Sequence, residues 1–219
     1  MFIGHYSAAL IAATQRDAPK LGVLFAAAQI IDIGFFSFVL SGIEAMRITP
    51  GITVMNPMDL YHMPYTHSLI GTLVCAAGFA LLLKGFGASW RAGLIVGLVV
   101  VSHWFLDLIV HAPDLTLAGT PPKLGLGLWN YPLIEMPFEI GLTAGALWFY
   151  LKSTKPVGKS LAVPALILYL AAVQAFNWFS PPPIQLDTSV PISALLAYGL
   201  AILLAIWVSR GRNFGGVKS

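Results

Sequence analysis

Charged side chains are scarce in this chain: only 10% of its 219 residues are Asp, Glu, Lys or Arg, whereas 58% are hydrophobic. A soluble domain carries about 25% charged residues, so this chain cannot cover a water-exposed surface with polar groups. The scarcity excludes most cytosolic enzymes, nucleic-acid binders and disordered proteins, and it indicates a polytopic membrane protein. A single cysteine, Cys75, excludes a disulfide framework and a cysteine-rich metal site.

Six apolar stretches are long enough, or nearly so, to span the hydrocarbon core of a bilayer, which takes about 20 residues. They cover residues 21–40, 66–83, 92–111, 133–151, 161–179 and 191–208. Turn-rich segments separate them, and no internal repeat or soluble domain is visible. We therefore expect an all-α integral membrane protein with six transmembrane helices, in which residues 1–219 form a single membrane-embedded domain.

The basic residues predict which loops face the cytoplasm. Ten of the twelve Lys and Arg residues lie before the first stretch, in alternate loops or after the last stretch, and only Arg47 and Lys123 lie in the loops between. By the positive-inside rule, the ten mark the cytoplasmic side. The C-terminus is then cytoplasmic, and the loops 44–65, 112–131 and 180–190 face outward.

The first fifteen residues are apolar but too few for a full span. As a helix they would rise about 22 Å, which reaches past the midplane of a bilayer. They lack the basic n-region of a signal peptide. We expect a seventh, partly inserted helix whose N-terminus points toward the outer side.

The ionisable residues inside the apolar segments, or at their ends, are all His, Asp or Glu. The set is His5, Asp32, His67, His103, Asp107, His111, Glu135 and Glu139. A buried carboxylate is costly unless it is protonated, paired with a cation or bound to a metal. Since no Lys or Arg shares these segments, the set predicts a divalent metal site, zinc first, with more than one ion possible. Their predicted depths place the site toward the outer side of the bundle.

The sharpest motif lies in the third span, where His103, Asp107 and His111 follow one another at intervals of four residues. This spacing puts them on one helix face, where they can ligate one ion or bridge two. The alternative is a polar stripe that makes interhelical hydrogen bonds. Asp114 fits a loop or cap role as well as a site role.

The sequence around each of the remaining candidate residues indicates its expected role. Glu135 and Glu139 share a helix face; one is expected to be a ligand and the other to support it, and Glu139 is favoured as a general base. His62 and Asp59, in the 44–65 loop, are expected to be solvated or to lie at the rim of the site. Four aromatic residues fit an outer interfacial belt: Trp129, Tyr131, Trp178 and Phe179.

A family resemblance follows from the order of these motifs: His5, then Asp32, Thr66-His67-Ser68 and His103-x-x-x-Asp107. This order resembles the YdjM-like proteins, a bacterial inner-membrane family of metal-dependent hydrolases, over about residues 1–115. It is also similar, more distantly, to the zinc-dependent phospholipase C and P1 nuclease group, whose residues hold a multi-zinc cluster that cleaves phosphate esters. The resemblance implies a multi-pass protein of the bacterial inner membrane with a hydrolytic metal site.

Together these observations predict a membrane-embedded hydrolase that acts on a phosphate- or ester-containing lipid or amphiphile. One metal ion would be held by four residues: Asp32, His67, His103 and Asp107. A second position would take His5 and His111 with Glu135 or Glu139. The alternative is a transporter in which the same groups bind a proton or metal ion in transit. A di-iron hydroxylase is weaker, since five His residues are too few for its histidine boxes.

Overall fold

The computed structural model describes residues 1–214, and within them the chain is mostly helical. Seven α-helices occur in this part: α1 (Tyr6–Ala12), α2 (Leu21–Leu40), α3 (Leu69–Gly85), α4 (Trp90–Val110), α5 (Pro132–Ser153), α6 (Ala162–Phe179) and α7 (Ser189–Arg210). Each of the six predicted spans therefore coincides with a helix, and the helix boundaries lie within three residues of the predicted ones. The coarse expectation of a helical fold is confirmed.

Four of these helices are long and apolar enough to cross a membrane: α2, α4, α6 and α7. Many of their large apolar side chains lie on the protein surface, as expected for contact with lipid tails rather than water. For the other two predicted spans, α3 and α5, length and composition give weaker support for a membrane crossing. Helix α3 has only 17 residues, and α5 carries two buried glutamates in its first two turns. Six crossings therefore remain a prediction.

Local sequence signals set the ends of the helices. The hydroxyl oxygens of Ser68 and Ser89 accept hydrogen bonds from backbone amides in the first turns of α3 and α4. Pro132 opens α5 at a position where its missing N–H is not needed. At the start of α7, the hydroxyl and amide of Ser189 donate to the carboxylate of Asp187. These two hydrogen bonds hold the pKa of Asp187 below its usual value.

The packing order places the short N-terminal helix inside the bundle. Helix α1, preceded by a 3₁₀ turn at Ile3–His5, packs against α5, α2 and α4. Its side chains Tyr6 and Ala9 are fully buried and Leu10 nearly so. Helix α7 packs on α2, α3 packs on α4, and α6 packs mainly on α7. The expected short N-terminal helix is thus present, and it is a central element of the fold.

The segment between α2 and α3 forms a β-hairpin, which the sequence analysis did not predict. Strands β1 (Ala45–Ile48) and β2 (Met58–His62) pair antiparallel, and a second small sheet joins β3 (Thr154–Pro156) to β4 (Arg212–Phe214). We call the end of the bundle that carries β1 and β2 the hairpin end. It is the end predicted to face outward.

Two glycines allow close backbone approaches at this end. A Cβ on Gly71 would overlap the carbonyl oxygen of Tyr65, and one on Gly125 would overlap the carbonyl oxygens of His111 and Ala112. Gly127, with φ +73°, donates its amide to the carbonyl of His111 at 2.7 Å. The two segments that carry His67 and His111 are thereby held by backbone contacts that a larger residue would disrupt.

Candidate metal centre

The structure brings six of the eight predicted residues into one buried cluster at the hairpin end. They come from four separate parts of the chain: the N-terminal turn, α2, the start of α3 and the end of α4. The six residues are His5, Asp32, His67, His103, Asp107 and His111. Five of the six are buried, and only the Asp32 side chain is partly exposed, at 14%. We call these six residues the His/Asp cluster.

The carboxylate of Asp107 lies at the centre of the cluster. Its Oδ2 is 3.0 Å from Nε2 of His103 and 3.7 Å from Nε2 of His67. Its Oδ1 is 3.1 Å from Nε2 of His5 and 3.3 Å from Nε2 of His111. Each oxygen thus faces two imidazoles, and this arrangement allows the carboxylate to bridge two ions.

The first group of donor atoms fits one ion. Nε2 of His67 and of His103 lie 3.4 and 3.5 Å from Oδ1 of Asp32. Ligands bound at about 2.1 Å in a tetrahedral site lie roughly 3.4 Å from one another, so these spacings match a zinc-sized site. Two sets of three residues have ligand atoms within 4.8 Å of one another: Asp32, His67 and His103, and His5, His103 and Asp107.

Hydrogen bonding leaves the atoms that face the cluster without partners. His103 Nε2, Asp107 Oδ2 and His5 Nε2 are buried, close together and not hydrogen-bonded. Buried polar atoms in proteins are nearly always satisfied, so a concentration of unsatisfied ones at one point indicates a missing ligand. The rings of His5 and His103 also stack face to face, with their centroids 3.7 Å apart. The donor set therefore fits a divalent transition metal.

Three histidines of the cluster have an oxygen atom at hydrogen-bond distance from Nδ1, which orients the ring: His103, His111 and, as described below, His67. Nδ1 of His103 donates to the carbonyl of Ala28 at 2.8 Å, and Nδ1 of His111 lies 2.9 Å from the carboxylate of Asp114. Because these oxygens only accept, each Nδ1 carries the proton and each Nε2 offers its lone pair to the cluster. Such supporting contacts are typical of histidines that ligate metals. Asp114, left open from the sequence, thus orients His111.

His67 is oriented through a relay that the sequence analysis missed. The buried carboxylate of Glu44 accepts from the hydroxyl of Thr66 at 2.6 Å and from its amide at 3.0 Å. Since that hydroxyl gives its proton to Glu44, its lone pair accepts from Nδ1 of His67, 2.9 Å away. The relay leaves Nε2 of His67 free to ligate. Glu44 lies 22 residues before Thr66, so no local pattern links the two.

The relay makes a testable prediction. Thr66→Val keeps the shape of the side chain but removes the acceptor for Nδ1 of His67, so we expect metal affinity to fall by roughly 10- to 100-fold, as for other supporting contacts of ligands. Thr66→Ser keeps the hydroxyl and is expected to bind metal as the wild type does. Competition with a chelator measures both. Wild-type affinity in Thr66→Val would contradict the relay.

The two glutamates of α5 lie beside the cluster with different hydrogen bonding. Glu139 is fully engaged: Oε1 accepts from the amides of Phe2 and Gly4 at 2.7 and 2.9 Å, and Oε2 accepts from Gln174 at 2.8 Å. Glu135 is equally buried, and its Oε2 has no partner. Neither belongs to the sets of converging ligand atoms found within residues 1–214. Glu139 holds the N-terminal segment in place, whereas Glu135 has a free oxygen.

Other contacts complete the surroundings. The hydroxyl of Tyr198, on α7, donates to Oδ2 of Asp32 at 3.2 Å, and the Met1 amino group lies 3.3 Å from Oδ1 of Asp107. Trp129, expected in an interfacial belt, is instead buried with its ring 4.2 Å from that of His111. Asp59 pairs with Arg47 at 2.6 Å, and His62 is exposed, so both lie outside the cluster as expected.

A cavity adjoins the cluster. It has an empty volume of about 690 Å³ including its open mouth, and four cluster residues line it along with both glutamates. The rest of the lining is mostly apolar and largely aromatic. Its residues include Phe2, Phe35, Phe36, Met58, Leu60 and Tyr198. A small molecule in this cavity would touch both the cluster and apolar side chains.

Comparison of this chain with protein-family models, curated proteins and solved structures gives no match.

Proposed function

We propose that this protein is a membrane-embedded, metal-dependent hydrolase that cleaves a phosphate ester or carboxylic ester. The observation that carries the proposal is the His/Asp cluster, in which potential ligand atoms from four parts of the chain converge beside a cavity and those of His5, His103 and Asp107 include buried atoms without partners. A metal ion held there would lower the pKa of its bound water and would act as a Lewis acid on the scissile group. Zinc is the ion that this mixture of imidazole and carboxylate donors favours.

Each residue has a separate role in this proposal. Asp32, His67, His103 and Asp107 hold the first ion, and His5, His111 and the second oxygen of Asp107 provide a further position. Glu135 acts as general base and takes a proton from the attacking water, because this residue lines the same cavity and its Oε2 is unpaired. This differs from the expectation that Glu139 is the base, since the hydrogen bonds to Glu139 occupy both of its oxygens.

We further propose that the chain belongs with the YdjM-like proteins of the bacterial inner membrane, with a cytoplasmic C-terminus. What supports this is that the residues of the resemblance, although scattered over the first half of the sequence, lie within contact distance of one another. The positive-inside pattern supports the orientation.

The test of the function is turnover in detergent, where no gradient across a membrane exists. Purified protein is incubated with panels of phosphate monoesters, phosphodiesters and carboxylic esters, with zinc added or with a chelator. The proposal expects hydrolysis of one class that chelation abolishes and zinc restores. Zinc-loaded protein that hydrolyses none of these esters, but moves metal ions or protons across vesicle membranes, would replace the hydrolase with the transporter.

A further inference from the structure

The exposure of its lining residues indicates where the cavity beside the His/Asp cluster opens to the protein surface. Among its eighteen lining residues, only Asn177 is exposed, and it lies in the last turn of α6. Its neighbour Trp178 also lines the cavity and is half-buried. The mouth of the cavity is therefore beside the hairpin end of α6.

The neighbouring helix α5 packs little against α6. Helix α5 packs mainly on α1, and α6 packs mainly on α7. The two helices meet at the hydrogen bond between Gln174 and Glu139. One turn closer to the hairpin end, Glu135 of α5 and Asn177 of α6 both line the cavity. The opening thus lies between the outer ends of α5 and α6.

The rim of the opening is apolar. Phe176 and Phe179 of α6 are 72% and 73% exposed, and Leu133 at the start of α5 is 90% exposed. Large apolar side chains that are this exposed on the helices of a membrane protein contact lipid. A molecule that enters between them comes from the bilayer more readily than from water.

The lining limits the chemistry of the occupant. The lining combines carboxylates and imidazoles with aromatic and aliphatic side chains, and no Lys or Arg is among the eighteen residues. The basic groups of the lining are the imidazoles of His67 and His111 and the Met1 amino group, which already pairs with Asp107, so the cavity offers little positive charge to balance an anionic group. Polyphosphates and other multiply charged substrates are therefore disfavoured, whereas a single ester group on an apolar chain matches both parts of this lining.

We infer that the substrate is a single-chain amphiphile with one phosphate ester or carboxylic ester group, which enters sideways from the membrane between α5 and α6. Its ester group reaches the His/Asp cluster, and its chain lies along the wall formed by Phe2, Phe36 and Tyr198. As a statement about a substrate, this rests on the proposed hydrolytic function.

Photolabelling tests this inference without requiring turnover. The probe is a long-chain alkyl methyl phosphate, a diester with one negative charge, that carries a diazirine in its chain and is mixed into phosphatidylcholine vesicles that contain the full-length protein. After irradiation, mass spectrometry locates the labelled residues. The inference expects label on the cavity wall, at Phe36 and Tyr198, as well as on exposed residues such as Phe176.

Two tryptophan variants test the position of the opening. Asn177→Trp fills the mouth and is expected to remove most of the label from the wall, while the label on Phe176 remains. Ala172→Trp is the matched control: this residue is exposed on the same helix and does not line the cavity, so its wall labelling should equal that of the wild type. Label confined to exposed residues, or wall labelling unchanged in Asn177→Trp, would overturn the inference.

The outcomes separate this inference from the proposed function. If the cavity wall is labelled but the protein hydrolyses no ester, the result supports the amphiphile site and contradicts the proposed hydrolase. If the protein hydrolyses small soluble esters in a metal-dependent way but the cavity wall is not labelled, the result supports the hydrolase and contradicts the opening toward the lipid.

Discussion

Asp107→Asn is expected to abolish stoichiometric metal binding. The carboxylate of Asp107 is the one group that faces all four imidazoles of the cluster, at 3.0 to 3.7 Å. An amide cannot bridge two ions and brings a donor N–H toward the ligand atoms. Since loss of a supporting contact alone weakens metal sites by about 10- to 100-fold, loss of this ligand should weaken binding by more than about 100-fold. Metal analysis of detergent-purified protein measures it.

His103→Ala is expected to have the same effect, because Nε2 of His103 belongs to both sets of converging ligand atoms. His62→Ala is the matched control: this histidine is exposed on β2, outside the cluster, and its loss should leave the metal content unchanged. Circular dichroism and gel filtration establish that each variant is folded. A folded Asp107→Asn protein with wild-type metal content would contradict the assignment.

Glu135→Gln is expected to lower the rate of ester hydrolysis by about 10²- to 10⁴-fold, the range for loss of a general base. The metal content should not change, because Glu135 is not among the converging ligand atoms. The amide preserves the size of the side chain but cannot accept a proton from water. Steady-state kinetics of zinc-loaded protein measures the effect on kcat.

Glu139→Gln is the matched control for this prediction. The oxygen of the new amide can still accept from the amides of Phe2 and Gly4, so we expect a smaller loss of kcat than in Glu135→Gln. Wild-type turnover by Glu135→Gln, or a larger loss in Glu139→Gln, would reverse the roles given to the two glutamates.

The helices could be predicted from the sequence because each predicted span is a long run of apolar residues. The prediction for residues 21–40 agrees with α2 at both ends. The β1–β2 hairpin could not be predicted, because its strands are short and contain polar and turn-forming residues. The burial of Trp129 was missed for a similar reason: interfacial aromatics and buried ones look alike in sequence.

The cluster was predictable because charge is so rare within apolar helices that His103 or Asp107 stands out. The supporting residues do not stand out. Glu44 follows the first span like any loop carboxylate, and its function depends on Thr66, which folding alone brings to it. Likewise, the sequence could not distinguish Glu135 from Glu139, since their difference comes from the amides of the N-terminal segment and from Gln174.

The most direct test of the central claim is the metal content of the wild-type protein. The protein is purified in detergent without chelators, its folding is verified, and its bound transition metals are measured by elemental analysis. We predict at least one tightly bound divalent ion per chain, with zinc predominant, and up to two if the second position fills. A correctly folded protein that contains no metal and takes up none from added zinc would contradict the metal centre and the hydrolytic function built on it.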